Sequence, residues 1–283
     1  MISCNNSTKP DKEEYLEDLQ KWQEQRLQRL KSDKGWLNLA GLYWLKEGEN
    51  TFGSDSSNSI VFPAEAPSHA GKIIKSGDSI YFRASPDSEI KINGKLQNSA
   101  LLKPDASGNP DLMEYKSLAW YIIKRDSMYG IRLRDYDHPR IKKLDRIPSF
   151  DPDLKWRKTA EFIPFDEPDT VLVPTVIGVD ESYISPGKLV FRHKGKEYEL
   201  LPFKVGEGFF IIIGDKTSAV ETYPAGRFMY TELPDKNKNV ILDFNKAYNP
   251  PCAFSPYATC PLPPQENRLD LRIDAGEKEV HLK

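Results

Sequence analysis

The sequence predicts a mainly β protein with one N-terminal helix, a β-sandwich, and then a second β-barrel or sandwich-like module. Its 283 residues are about twice the commonest domain size. One segment near the start has helical periodicity, and the rest has short runs of β-branched and aromatic residues separated by Gly, Asp, Asn and Pro. We therefore expect a flexible tether over 1–10, a helix over 11–34, the sandwich over 35–147 and the second module over 148–283.

The amino-acid composition bears on the class of protein to which the chain belongs. Hydrophobic residues make up 39% of the chain and charged residues 29%, which is enough apolar content for packed cores. The net charge is −2, with both signs interspersed and no basic run, so we do not expect nucleic acid as a partner. No apolar stretch approaches the roughly 20 residues of a membrane-spanning helix.

The helix is predicted from its apolar spacing. Apolar side chains recur at three- to five-residue steps on a charged background, at Tyr15, Leu19, Trp22, Leu27 and Leu30. Such a stripe indicates a helix that packs on the domain that follows it. A helix that presents this stripe to a partner protein is the alternative.

The strands are predicted from short β-prone runs. In the first module they cover 59–62, 71–74, 80–83, 90–92, 119–123 and 129–133, with a hairpin turn at Asn93-Gly94. After a proline-rich linker at about 137–156, they cover 159–163, 171–177, 188–193, 197–202, 209–213 and 240–244. The alternating tail over 269–273 predicts a closing strand with one buried face.

Residues 48–95 resemble a known family. The motifs at 52–63, 68–73 and 92–94 are similar to a forkhead-associated domain, a β-sandwich whose loops capture phosphothreonine. In that family an Arg after the loop Gly grips the phosphate, whereas here Gly53 is followed by Ser54. The resemblance implies the sandwich fold for this module, and we do not expect phosphopeptide binding.

A second resemblance spans most of the chain. The motifs at 35–45, 221–228 and 242–264, with 266–269, resemble the bacterial family catalogued as domain of unknown function 1684. The resemblance implies a family fold and a family signature. It implies no activity, cofactor or catalytic residue.

The segment from Asp243 to Arg268 is the candidate site. It contains six prolines, which fix φ and lack the N–H group, so we expect a rigid, extended segment that stays out of a central sheet. Polar groups held on such a segment could bind a small polar ligand, and turnover is left open. The candidate ligand-binding residues are Glu221, Arg227, Asp243, Asn245, Tyr248, Asn249, Glu266 and Arg268.

Two alternatives stay open for this part of the chain. The proline-rich segment could be a belt over an edge strand, with its Asn and Asp side chains bonding backbone groups that the prolines leave unpaired. The protein could also be a non-catalytic scaffold that uses the first sandwich as a docking module. No cofactor is expected, and no catalytic residue can be assigned.

Cys252 and Cys260 are the only cysteines of the predicted folded modules. Seven residues separate them, and a disulfide is the first expectation in an oxidising compartment. A nucleophilic cysteine is the alternative, although no base lies nearby in the sequence. A zinc site is not expected, since the four histidines are scattered at His69, His138, His193 and His281.

Ile2-Ser3-Cys4 resembles the end of a bacterial lipobox, in which the cysteine carries the lipid. We therefore expect a periplasm-facing lipoprotein of the cell envelope, held at the membrane only through this N-terminal lipid. A cytoplasmic protein with an incidental cysteine is the alternative.

Replacing the proposed lipidation residue tests the location. If Cys4 carries an acyl chain, Cys4→Ser should move the full-length precursor from the membrane fraction to the soluble fraction in its native host, because the acyl chain supplies the membrane affinity. Fractionation with immunodetection measures this. Identical fractionation of both forms would refute the anchor.

Overall fold

The computed structural model describes residues 11–86 and 88–282. Cys4 and the predicted tether lie outside these residues, so the lipid anchor stays a prediction. Within the described chain the mainly β fold with one long N-terminal helix is confirmed. No helix among these residues is both long and apolar enough to cross a membrane.

Helix α1 (Lys12–Lys31) begins where the side chain of Asp11 caps it. Its carboxylate accepts the backbone N–H groups of Glu13 and Glu14, two of the donors that a helix start leaves unpaired. The first turn is acidic and the last turn is basic, which suits the helix dipole at both ends. The predicted apolar stripe is real, with Tyr15, Leu19 and Leu30 buried.

The first module is a sandwich of two sheets. Its strands are β1 (Leu39–Trp44), β2 (Gly48–Gly53), β3 (Ile60–Val61), β4 (Gly71–Ser76), β5 (Ser79–Ala84), β6 (Lys91–Ile92), β7 (Lys95–Leu96), β8 (Ser99–Leu101), β9 (Met113–Tyr115), β10 (Leu118–Arg125) and β11 (Met128–Asp135). One sheet has the order β1-β11-β10-β9-β6-β7 and the other β3-β2-β4-β5-β8.

Aromatic rings from both sheets form the sandwich core. Phe52 meets the ring of Trp120 edge-on at 5.7 Å between centroids, and Phe62 meets the same ring at 5.4 Å. The hairpin between β6 and β7 turns at Asn93 and Gly94, both with positive φ, as its sequence predicts. The β-sandwich prediction for this module is confirmed.

The second module follows a short helix, α2 (Pro139–Lys143). Its strands are β12 (Arg157–Pro174), β13 (Asp180–His193), β14 (Lys196–Leu200), β15 (Phe203–Val205), β16 (Gly208–Ile213), β17 (Arg227–Glu232) and β18 (Asn239–Asp243). They form a four-stranded sheet, β14-β13-β12-β18, and a three-stranded sheet, β15-β16-β17. The prediction of a second β module is confirmed.

Strand β16 is buried on both faces. Phe209, Ile211 and Ile213 point into the core that the two sheets share, whereas Phe210 and Ile212 pack in a second cluster on the opposite face. A continuous apolar run is typical of a strand with no wet face. The second cluster joins the three-stranded sheet to Leu39 of the sandwich and to the proline-rich segment.

Three predicted strands are wrong in detail. The runs at 159–163 and 171–177 belong to one 18-residue strand, β12, whose register slips between Pro164 and Asp169 because Pro164 and Pro168 interrupt the ladder. The tail over 269–273 is not a strand, although its residues alternate between buried and exposed as predicted. Its backbone bonds instead to Gly214, Lys216 and the side chain of Asp215.

The proline-rich segment is also less extended than its composition predicts. Three short 3-10 turns interrupt it, at Phe244–Lys246, Pro251–Ala253 and Gln265–Asn267. Pro250 and Pro264 directly precede two of these turns, with φ near −64° and −63°, which suits the start of a helical turn.

Helix α1 packs on the C-terminal module and also on the segments that flank the strands of the sandwich, at Leu37 and Leu144. The hydroxyl of Tyr15 donates to Asp243 at 3.0 Å and accepts from the side-chain amide of Asn245 at 2.9 Å. Further along, Leu30 packs with Phe254 and Val280. The helix is therefore fastened to residues more than 200 positions away.

Removal of one hydroxyl tests this attachment. Tyr15→Phe keeps the ring but leaves Asp243 and Asn245 without their shared partner, so we expect about 1–3 kcal/mol less stability in urea unfolding. Tyr81→Phe, which removes a hydroxyl from a ring 45% exposed on the sandwich, should change stability by less than about 0.5 kcal/mol. Equal stability of the two variants would contradict the attachment.

Candidate functional site

A cleft of about 440 Å³ lies between α1 and the three-stranded sheet. This volume is within the range of small-molecule sites, roughly 300–1,000 Å³. We call it the aromatic cleft and define it by the residues that line it, which are Trp22, Arg26, Arg29, Trp36, Phe210, Phe228, Tyr230, Lys246, Tyr248 and Pro251.

The sheet side of the aromatic cleft is a set of packed rings. Phe210 meets Phe228 edge-on at 4.9 Å, and Tyr230 lies nearly parallel to Tyr248 at 6.3 Å. Two backbone hydrogen bonds, of 2.8 and 2.9 Å, tie Tyr248 to Phe228. The proline-rich segment is thus attached to β17 at the point where both contribute rings to the cleft.

The helix side of the cleft follows from helical spacing. Trp22, Arg26 and Arg29 are separated by four and three positions, so they share one face of α1. Trp36 lines the cleft from the segment before β1, and the guanidinium of Arg132 lies 5.8 Å from the centre of its ring. The cleft therefore combines residues from the helix, the start of the sandwich and the second module.

Arg26 is a cation whose charge is already balanced. Its Nε donates to Glu277 at 3.0 Å and its Nη2 to the carbonyl of Asn249 at 2.8 Å, while its guanidinium lies 4.4 Å from the centre of the Tyr248 ring. Burial raises the pKa of Glu277, and the charge of Arg26 acts against this by favouring the carboxylate. Arg26 thus positions Tyr248 rather than offering a free charge.

Arg29 and Lys246 differ from Arg26. Within the part of the chain that the structure describes, neither side chain forms a hydrogen bond or an ion pair. Arg29 is exposed and Lys246 half-buried at the cleft. These two cations are available to an anion.

The phenols of the cleft are suited to hydrogen bonding, not to base catalysis. Burial raises the pKa of both Tyr230 and Tyr248. Both are therefore protonated at neutral pH. None of the described lining residues carries a carboxylate, an imidazole or a thiol.

Arg227, a predicted ligand residue, is wholly buried. Its Nη2 donates to Asp215 at 3.1 Å, and the guanidinium also donates to the hydroxyl of Thr217 and to the carbonyls of Ala275 and Ile273. Burial lowers the pKa of Arg227, and the charge of Asp215 opposes that shift. The guanidinium holds the C-terminal tail against the sheet and cannot reach a ligand.

Three asparagine side chains form hydrogen bonds with backbone groups, as the main chain of a neighbouring strand would. The side chain of Asn245 accepts from the N–H of Asp153 at 3.1 Å and donates to the carbonyl of the same residue at 3.0 Å. Asn267 does the same for Leu201, and Asn249 donates to the carbonyl of Lys278. For these residues the geometry favours the belt interpretation.

The remaining candidates lie apart from one another. Glu221 forms an ion pair with Arg272, and Glu266 is exposed on a 3-10 turn. Arg268 lines a separate depression of about 260 Å³. Of the eight predicted residues, only Tyr248 lines the aromatic cleft.

Cys252 and Cys260 are both free in the structure. The N–H of Cys252 nevertheless donates to the sulfur of Cys260 at 3.1 Å, so the two residues are in contact. The disulfide stays a prediction. Among residues 11–86 and 88–282, no group of three or more His, Cys, Asp and Glu side chains is placed to hold a metal ion.

The loop after β2, where the forkhead-associated family binds phosphate, is closed by its own side chains. The amide of Asn58 donates to the carbonyls of Asp55 and Ser68, each at 2.8 Å, and His69 lies 3.4 Å from its oxygen. Residues 54–59 contain no cation. Phosphopeptide binding is still not expected.

Comparison with known proteins finds a family match for part of the chain and indicates no activity. Residues 142–278 match the family model described as protein of unknown function (DUF1684), which confirms the resemblance over the range that carries the motifs at 221–228 and 242–269. A search of curated proteins finds no match.

Two solved structures are similar to parts of the chain. An uncharacterized protein of Haloarcula marismortui, solved by NMR, is 29% identical over 48% of this chain and 78% of that one, with a TM-score of 0.41. Mycobacterium tuberculosis EmbR, solved with a low affinity phosphopeptide, is 11% identical over 45% of this chain and 32% of that one, with a TM-score of 0.23. Neither TM-score is high enough to support a functional argument.

A structural role for Arg227 is testable. Arg227→Met leaves the carboxylate of Asp215 buried and unpaired, so we expect about 3–5 kcal/mol less stability in urea unfolding. Arg192→Met removes an exposed arginine from its pair with Glu197 and should cost less than about 1 kcal/mol. If Arg227→Met is no less stable than this control, the assignment is wrong.

Proposed function

We propose that the protein binds a small anionic ligand with a flat apolar body in the aromatic cleft. The observation that carries this proposal is the combination of six aromatic rings with two cations, Arg29 and Lys246, that have no partner among the described residues. An apolar body would lie among the rings, and its anionic group would face the cations.

Two complementary energetic terms favour such a ligand. Aromatic faces give a flat ligand a large contact area and stacking geometry, which are worth more than area alone. A cation beside a low-dielectric surface attracts an anion more strongly than it would in open water. Neither term requires the rings or Lys246 to move far, since the ring set is already packed.

The side chains that line the aromatic cleft are better suited to binding a ligand than to catalysing its conversion. General acid–base and nucleophilic catalysis need a carboxylate, imidazole, thiol or activated hydroxyl at the ligand. The described cleft offers protonated phenols and cations instead. The ligand is therefore held, and we assign no reaction to the cleft.

The alternative function is a scaffold that docks a partner through the first sandwich. The exposed apolar surface that would support it is small. Tyr81 and Leu101 are cross-strand neighbours and are both exposed on the five-stranded sheet of the sandwich. Such a pair is small for a docking surface, since scattered exposed apolar residues are normal. The aromatic cleft is the stronger candidate for a binding site.

An aromatic anion of known fluorescence tests the proposal. We expect 8-anilinonaphthalene-1-sulfonate to bind the native protein with one-site behaviour and with lower affinity at higher ionic strength. Lys246→Gln and Tyr230→Ala should each raise its Kd about threefold to tenfold, because each removes one of the two terms. Tyr230 is 58% exposed, so its loss should not unfold the chain.

Lys95→Gln is the matched control. Lys95 is an exposed lysine of β7 in the sandwich, so its neutralisation removes the same charge at a distance from the cleft. Its Kd should equal that of the wild type. If all three variants bind the probe with the same Kd, the aromatic cleft is not the site.

A further inference from the structure

Cys252 and Cys260 are in contact next to the aromatic cleft. Cys252 is half-buried in the 3-10 turn that starts at Pro251, and Cys260 is only 4% exposed. The N–H of Cys252 donates to the sulfur of Cys260 at 3.1 Å. A disulfide needs two neighbouring cysteines, and this contact brings the sulfur of Cys260 to the backbone of Cys252.

The two thiols have unequal surroundings. The hydrogen bond from Cys260 lowers the pKa of Cys252, and the charge of Arg132 acts in the same direction. Burial raises the pKa of Cys260. Cys252 is thus both the more acidic thiol and the one that a small solute can reach.

We propose that Cys252 and Cys260 form a dithiol that peroxide oxidises to an intramolecular disulfide. The thiolate of Cys252 attacks one peroxide oxygen, so that an S–O bond forms and the O–O bond breaks to give a sulfenic acid. The other peroxide oxygen leaves as hydroxide and takes up the proton that the Cys252 thiol released, which gives the first water. The thiol of Cys260 then attacks the sulfur of Cys252. The S–S bond forms, and the sulfenic oxygen leaves with two protons as water. In sum, two thiols are oxidised and one hydrogen peroxide is reduced to two waters.

The position of the dithiol connects it to the aromatic cleft. Pro251 lines the cleft, and its neighbour Cys252 packs with Trp36 and Tyr248 on the cluster that contains Cys260. Arg132 lies near both thiols and over the ring of Trp36. Closing the S–S bond draws the turn at Pro251 toward Cys260, so oxidation changes the shape of the cleft. This regulatory part rests on the proposed function.

Peptide mass spectrometry of the oxidised full chain tests the thiol chemistry without a substitution. Both cysteines fall in one tryptic peptide, residues 247–268, because Lys246 and Arg268 are its bounding sites. After hydrogen peroxide treatment we expect this peptide to lose two hydrogens and to resist alkylation until a reductant is added. A peptide that still takes two alkyl groups, or that gains oxygen at either sulfur, would overturn the proposal.

A substitution tests the order of the two steps. In Cys260→Ala the sulfenic acid of Cys252 has no resolving thiol, so dimedone should label residue 252 after peroxide treatment. In Cys252→Ala the remaining Cys260 should label at least tenfold more slowly, since it is buried. Faster labelling of Cys260 than of Cys252 would reverse the assigned roles.

The connection to the cleft is measured with the same fluorescent anion. We expect its Kd to differ at least threefold between the reduced and oxidised protein. After a reductant is added, the Kd should return to that of the reduced protein. If the disulfide forms and the Kd is unchanged, the connection to the cleft is wrong. If the probe binds neither form, the proposed function fails, whereas the dithiol assignment still stands on the peptide mass.

Discussion

The ion pair between Arg26 and Glu277 is the contact on which the cleft depends. It joins the first helix to the last residues of the chain, across 251 positions, with both side chains largely buried. The same guanidinium lies against Tyr248 and donates to the carbonyl of Asn249, so helix, tail and proline-rich segment meet at one side chain. A buried pair of this kind contributes little net stability when intact but is costly to break, because either partner alone would be a charge out of water. It therefore fixes where α1 lies.

The fold was largely predictable because its signals are local. Helical spacing in α1 and the Asn93-Gly94 turn depend only on nearby residues, and both are confirmed. The predicted closing strand over 269–273 is wrong because its signal, the alternation of residues, is also local. Its alternating burial is correct, but whether an alternating segment pairs as a strand depends on the partner, and here the partner is a turn with the side chain of Asp215.

The candidate site was much less predictable because its residues are brought together by contacts over long separations. Chemical density made Asn245 in the proline-rich segment and Arg227 on the nearby strand β17 candidates, but their polar groups pair within the protein itself. The cleft combines Trp22, Trp36 and Tyr230, which share no sequence pattern. Burial explains why the predicted polar residues are not the ones that line the cleft. A polar residue inside a rigid β module usually has to pair with backbone or an opposite charge, and only the groups left over at an edge are available to a ligand.

The pairing of the first helix with the last residues has a consequence for biosynthesis. Helix α1 leaves the ribosome early, yet the partners of Tyr15 and Arg26 are added only after more than 200 further residues have been made. Until then the apolar stripe of α1 has no native surface, and the aromatic cleft has only one side. A chain that stops short of Glu277 lacks the carboxylate that balances Arg26, so an incomplete product differs in stability from a finished one. The attachment of α1 thus acts as a check that the second module has been made, since native packing of the helix requires residues of that module.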